Sequence, residues 1–175
     1  MKIGLIIALS LFYFTEINAQ TSKHKMKLTK NSWYILNDDV MGGVSKSNVV
    51  IEDNDIIFSG KLSSKYNGGF ASIRIRENFN VDERDKIVIK VLGDENTYQL
   101  RIKDNYLNDY SYVMEFSSNK EEEIEFKLSD FKPIFRGTYL NLENFNKNQI
   151  SEIAFMIVSN KEPSFKLKIF DVYFK

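Results

Sequence analysis

Tyr98-Gln99-Leu100-Arg101-Ile102-Lys103 alternates apolar and polar side chains without a break. Successive residues of a strand point to opposite faces, so this segment offers one face to a core and the other to water. The pattern continues on both sides. Upstream, Ile87, Ile89 and Val91 alternate and stop at Gly93-Asp94. Downstream come Tyr112, Met114 and Phe116, then Ile124, Phe126 and Leu128 set against Glu123, Glu125 and Lys127. Ile153, Phe155 and Ile157 follow, and Phe165, Leu167 and Ile169 alternate with Lys166 and Lys168. Nearer the start, Val49-Val50-Ile51 and Ile56-Ile57-Phe58 flank Glu52-Asp53-Asn54-Asp55, a run that tolerates a tight turn and predicts a hairpin. Trp33 to Leu36 and, after a Gly-Gly, Phe70 to Ile75 complete the series. About ten or eleven short strands at close spacing are the mark of an all-β domain. Helical periodicity is nowhere sustained, and a short helical turn near 142–149 is the best candidate for one. The expected architecture is a jelly-roll β-sandwich of two antiparallel sheets.

Length and composition bound what such a domain does. A chain of 175 residues favours one domain with a sizeable core. Lys+Arg and Asp+Glu balance at 24 each, so no net charge drives binding to nucleic acid, and no nucleic-acid partner is expected. Cysteine is absent, which removes disulfides, thiolate metal sites and thiol nucleophiles. The single histidine, His24, lies in a Lys-rich stretch before the first strand, so a Ser-His-Asp triad or a multi-histidine zinc site lacks its parts. No catalytic residues are assigned, and the chain is read as a binding protein rather than an enzyme.

The first residues read as an export address. Lys2 precedes an apolar run over 3–14, and Ile17-Asn18-Ala19-Gln20 offers a small residue before a polar one. That is the plan of a secretory signal peptide over 1–19, too short for a spanning helix, with cleavage expected after Ala19. The expected location is therefore periplasmic or secreted, with no transmembrane segment after cleavage. Residues 20–31 read as a flexible lead-in, and 32–175 as the domain.

Two loops stand out: Asn37-Asp38-Asp39-Val40-Met41-Gly42-Gly43-Val44-Ser45 and Tyr66-Asn67-Gly68-Gly69-Phe70-Ala71-Ser72-Ile73-Arg74. Each sets a Gly-Gly pair beside polar side chains, which makes tight corners and permits close approach of a backbone or a ligand. Candidate binding residues are Asp38, Asp39, Met41, Gly42, Gly43, Ser45, Asn67, Gly68, Gly69, Phe70, Ser72, Arg74 and Arg136. Neither loop precedes a helix, so a phosphate cradle is a poor reading. Arg74 is expected to pair with Asp38 or Asp39, as a structural tie or as the floor of a charged pocket. Asp38 and Asp39 are also conceivable ligands of a structural calcium, although their spacing matches no strong motif and no other cofactor is implied. A paired-carboxylate glycosidase would need a second acid, such as Glu115 or Glu125, brought in by the fold. Trp33, the sole tryptophan, reads as core rather than as a sugar-stacking platform.

Taken together, Trp33, the Asp38-Asp39-Val40-Met41-Gly42-Gly43 loop, Phe58-Ser59-Gly60 and the Gly68-Gly69-Phe70-Ala71-Ser72 stretch resemble the NADH:ubiquinone oxidoreductase complex I intermediate-associated protein 30 family. Gly93-Asp94 with Tyr98-Gln99-Leu100-Arg101, Phe131-Lys132-Pro133 with Phe135-Arg136-Gly137, and Ile153-Ala154-Phe155 extend the match from about Trp33 to Lys175. The chain departs where the family often has a longer Gly-Asp-Gly pattern, at Gly93-Asp94-Glu95-Asn96, and where it often has a Trp before 128–131. The resemblance implies a galactose-binding-like β-sandwich and, in mitochondria, a chaperone-like role in assembling respiratory complex I. An exported chain would not meet complex I subunits on the cytoplasmic side, so what carries over is the fold and a non-catalytic binding role. The expected partner is a protein of the cell envelope, with carbohydrate as the alternative and a carboxylate-based glycan enzyme as a third reading.

Overall fold

The computed structural model describes residues 24–25 and 33–175, apart from 83, 160 and 162. The expected signal segment, and all of the lead-in except His24 and Lys25, lie outside the described residues. The strands run in chain order as β1 (His24–Lys25), β2 (Trp33–Asn37), β3 (Lys46–Glu52), β4 (Asp55–Lys61), β5 (Phe70–Ile75), β6 (Phe79–Asn80), β7 (Lys86–Leu92) and β8 (Tyr98–Lys103). They continue as β9 (Ser111–Phe116), β10 (Glu122–Lys127), β11 (Lys132–Phe135), β12 (Thr138–Tyr139), β13 (Gln149–Ile150), β14 (Glu152–Val158) and β15 (Ser164–Phe174). One sheet has the order β10-β7-β15-β4-β3, with β1 also on β15; the other has the order β12-β11-β9-β8-β14-β5-β2. β6 and β13 form a separate two-stranded ribbon. All of these pairings are antiparallel. The expected all-β sandwich of two antiparallel sheets is thus the observed fold. No helix among the described residues is long and apolar enough to cross a membrane.

The core lies between the two large sheets. Ile56, Phe58, Ile87, Ile89, Val91, Leu167 and Ile169 come from one sheet, and Ile73, Leu100, Ile102, Ile153, Phe155 and Ile157 from the other, all almost fully buried. Aromatic rings close the gap: Tyr98 meets Phe165 edge-on at 6.5 Å, and Phe116 meets Phe126 at 6.3 Å. Trp33 is buried at 6% exposure with its ring 6.0 Å from that of Phe155, so it belongs to the core, as its place at the head of an apolar strand implies.

Local chemistry sets the register. In the predicted hairpin, Glu52 pairs with Asp55, and Asp53 and Asn54 take φ of 52° and 71°. Two consecutive left-handed residues make the turn whose twist suits a two-residue hairpin. In β15 the inward apolar residues change from odd to even positions, Leu167 and Ile169 giving way to Val172 and Phe174. A one-residue register shift between Ile169 and Asp171 absorbs the change. Phe170, the residue set aside, lies on the outer surface under the ammonium groups of Lys90 and Lys168.

One local expectation is corrected. No helix forms over 142–149. Phe145 is the one residue there that reaches the core, against Tyr112 at 5.2 Å, while its N–H donates to the Phe131 carbonyl at 3.0 Å. A single apolar anchor is too little to nucleate a helical turn, and the segment runs as a loop into β13. Nearer the start of the chain, His24 and Lys25 pair with Phe174 and Tyr173 of β15.

Candidate ligand-binding groove

The two glycine loops meet around one side chain. Asp38 opens a short 3-10 turn, Asp38–Met41, and is 1% exposed. Its Oδ1 accepts the Ser45 N–H at 2.9 Å; its Oδ2 accepts the Ser45 hydroxyl at 2.5 Å and the Gly69 and Phe70 N–H groups at 2.6 and 3.4 Å. Ser45 Oγ in turn accepts the Ser63 N–H at 2.9 Å. Burial by itself would raise the Asp38 carboxyl, but the donors from Ser45, Gly69 and Phe70 outweigh it and hold the group below its ordinary range. The glycines are required by this contact. A Cβ on Gly43 would lie 2.3 Å from Asp38 Cγ, and one on Gly68 would lie 2.5 Å from Asp38 Oδ2. The carboxylate is thus a latch between the loops.

This geometry overturns the expected pairing of Arg74 with Asp38 or Asp39. Asp38 is saturated by uncharged donors, and Asp39 is exposed and caps the Val40 N–H at 3.0 Å. Arg74 turns the other way. Its Nη1 donates to Glu152 Oε1 at 3.0 Å, and its Nε donates to the Ser72 hydroxyl at 3.2 Å. Glu152 also accepts from the Tyr34 hydroxyl at 2.7 Å and from Arg76 Nε at 3.1 Å. Burial raises the Glu152 carboxyl, but Tyr34, Arg74, Arg76 and Lys103 together bring it below its ordinary range. Burial, followed by the bond to Glu152, pushes Tyr34 up to about 12. The saturated Asp38 carboxylate also fits a calcium ligand poorly, and no group of three or more His, Asp and Glu among the described residues is placed to hold a metal. Glu125, one of the acids considered for a catalytic pair, is on the edge strand of the other sheet, bound to Lys86 at 3.0 Å and to Lys175.

Beside the latch lies a groove of about 550 Å³ on the outer face of the seven-stranded sheet. Met41, Gly68, Gly69 and Phe70 form one wall, and Phe135, Arg136, Gly137 and Tyr139 the opposite one. The floor follows from strand register. Arg74, Ala154 and Arg101 sit side by side on β5, β14 and β8, and Met156, Gln99 and Glu115 form the next row. Ala154 adds little bulk between the two guanidinium groups, so both reach the floor. Arg101 donates from Nε and Nη2 to Gln99 Oε1 at 2.9 and 2.6 Å, while Gln99 Nε2 donates to Glu115 at 2.9 Å. Burial and then the charge of Arg74 lower Arg101 to about 10, so it remains a cation at neutral pH.

Of the expected site residues, Met41, Gly68, Gly69, Phe70, Arg74 and Arg136 line the groove. Asp38, Gly43 and Ser45 lie behind its wall in the latch. Ser72 steadies Arg74, having its own hydroxyl bonded to the Leu36 carbonyl at 2.7 Å. Gly42 caps the 3-10 turn at φ 84°, and the backbone of Asn67 closes the turn Lys65–Asn67. Sequence reasoning missed Gln99, Arg101, Asp109, Tyr139 and Met156, and considered Glu115 only as a second catalytic acid. Its one available signal was an arginine on the outward face of a long alternating strand.

A family model described as complex I intermediate-associated protein 30 (CIA30) matches residues 19–169. The chain belongs to that family. No curated protein matches it. Among solved structures, the CIA30 domain is similar to a family 11 carbohydrate-binding module from Clostridium thermocellum in complex with a β-1,3-1,4-mixed-linked tetrasaccharide. That likeness has a TM-score of 0.61 at 14% identity and covers 84% of this chain and 94% of that one. It is also similar to a CBM4 module, with a TM-score of 0.53 at 10% identity over 82% of this chain and 85% of that one. A third likeness, to the glycoside hydrolase domain structure of Endo-D from Streptococcus pneumoniae R6, has a TM-score of 0.54 at 12% identity; it covers 82% of this chain and 21% of that one. At these identities the likeness concerns the fold, and it agrees with the galactose-binding-like jelly roll that the family resemblance implies.

Proposed function

We propose that this CIA30 domain is an exported, non-catalytic binding module that takes a segment of a partner protein of the cell envelope into the groove. The observation that carries the reading is the groove itself: the family's two glycine loops, fixed by Asp38, build one of its walls. The volume falls within the roughly 300–1,000 Å³ usual for a binding cleft. Its lining mixes Met41, Met156, Val158 and Ile134 with a few placed polar groups, as side-chain recognition requires. Family membership supports association with a protein, since the family is named for association with complex I intermediates. The apolar stretch over 3–14, behind Lys2 and before Ala19, supports export.

The test is capture from native envelope extract, with a photo-crosslinker at the exposed Val158 and a Val158→Glu/Tyr139→Ala variant as control. Both positions are more than half exposed, so the variant retains the fold. A single protein segment, crosslinked in the groove and absent with the variant, is the expected result. Equal capture by both proteins moves the interface elsewhere. The alternative ligand is carbohydrate, which the exposed rim aromatics Tyr139 and Phe135 favour; retention of polysaccharide alone would put that reading first.

A further inference from the structure

On the groove floor the two arginines differ in their ion pairing, and the exposed acids Glu115 and Asp109 also line the groove. Arg74 is neutralised by Glu152, whose other oxygen takes Tyr34 and Arg76. Arg101 lies one strand pair away across Ala154 and has no such partner. Its hydrogen bonds among the described residues are the two to the neutral Gln99 amide, and it forms no direct ion pair among them, Glu115 acting on it only from beyond Gln99. Gln99 is fixed by Glu115, so the amide holds the guanidinium still without discharging it. Nη1 has no acceptor among the described residues. Arg136, on the wall, also forms no ion pair among the described residues; it rests 5.3 Å above the Phe135 ring at φ 47°. A partly buried cation held rigid next to a second cation carries a desolvation cost that an incoming anion relieves. An arginine fork with a free edge matches a carboxylate in shape as well as charge.

We propose that the groove recognises a carboxylate-bearing, otherwise apolar protein segment, seating an Asp or Glu side chain on Arg101 with Arg136 closing over it. The inference rests on the protein-binding reading above and adds what the groove selects. A protein segment is favoured over an acidic glycan because Met41, Met156, Val158, Ile134 and Phe70 line the same groove as the cation. These side chains pack against apolar residues flanking an acid, whereas a uronate chain presents hydroxyls to them.

The experiment uses the purified protein and an immobilised library of capped decapeptides. A central Glu, Asp, Gln or Asn is flanked by randomised apolar and small residues, and oligogalacturonate serves as a separate probe. The native protein should retain Glu and Asp members at least about tenfold better than their amide isosteres, a preference that shrinks as salt is raised. Arg101→Gln should bring that ratio close to one, and Arg101→Lys should leave it intermediate, because the charge remains and the fork is lost. Equal retention of Glu and Gln members by the native protein, or a Glu preference intact in Arg101→Gln, overturns the carboxylate inference and leaves the protein-binding reading standing. The native comparison holds even if Arg101→Gln does not fold. Binding of oligogalacturonate with no retained peptide, or of neither probe, overturns both.

Discussion

At the scale of single residues, the two arginines on the groove floor share a chemical type and differ in circumstance. Arg74 is tied to Glu152 and steadied by Ser72; Arg101 is held by an amide and left charged. Removing the shared acid should therefore cost more than removing one of its partners. Glu152→Ala should lower stability by about 2–4 kcal/mol in a denaturant titration, and Arg74→Ala by less, since Tyr34 and Arg76 still satisfy the carboxylate. Asp38→Ala strands Ser45 and the Gly69 and Phe70 amides in a buried site, with an expected loss of about 3 kcal/mol or more. The latch also ranks the glycines. Gly43→Ala and Gly68→Ala force a Cβ onto Asp38 and should each lower the melting temperature clearly. Gly42→Ala meets no neighbour and should show only the roughly 1 kcal/mol strain of its left-handed φ. Sequence reasoning picked out Asp38 and the glycines but misassigned the partner of Asp38. Two loops separated by the β3–β4 hairpin reveal a backbone-to-carboxylate contact only once folded, whereas an Arg–Asp pair is the simplest guess from composition.

At the scale of elements, legibility follows how local the cause is. Alternation identified β7, β8, β9, β10, β14 and the first half of β15, because burial of one face writes a period of two into any strand. The rest of β15 carries the bulge, which reverses that period, and no repeated pattern marks a single inserted residue. The β3–β4 turn was legible for the same local reason, and it gives a test. Converting Asp53-Asn54 to Asn-Gly supplies the pair preferred where both φ values are positive; it should raise the unfolding midpoint by about 0.5 kcal/mol in equivalent stability. Arg101 stayed hidden because its neighbour Arg74 reaches it through β14, a strand distant in sequence from both. Alternation says which face a residue is on, and only cross-strand register says what lies next to it.

At the scale of the whole molecule, acid should be the first stress to unfold the sandwich. Asp38 and Glu152 both titrate below their ordinary values of 3.8 and 4.5 when folded, so the unfolded chain binds more protons than the folded one in acid. Their contribution is complete above those ordinary values and is lost as pH falls through the lower folded ones. Thermal scans should show a melting temperature that is level near neutrality and drops below about pH 5, with a shallower drop in Glu152→Gln. The place of β15 in its sheet has a further, kinetic consequence. β15 sits between β4 and β7 and also receives β1. The β3–β4 hairpin is free to close early, but the open edge of β4 must wait for a strand from the far end of the sequence. Most of the six-stranded sheet therefore forms in one late step of high contact order, which predicts slow, single-phase refolding. Until that step, β4 exposes an apolar edge able to pair with other chains, so yield on refolding should fall as protein concentration rises.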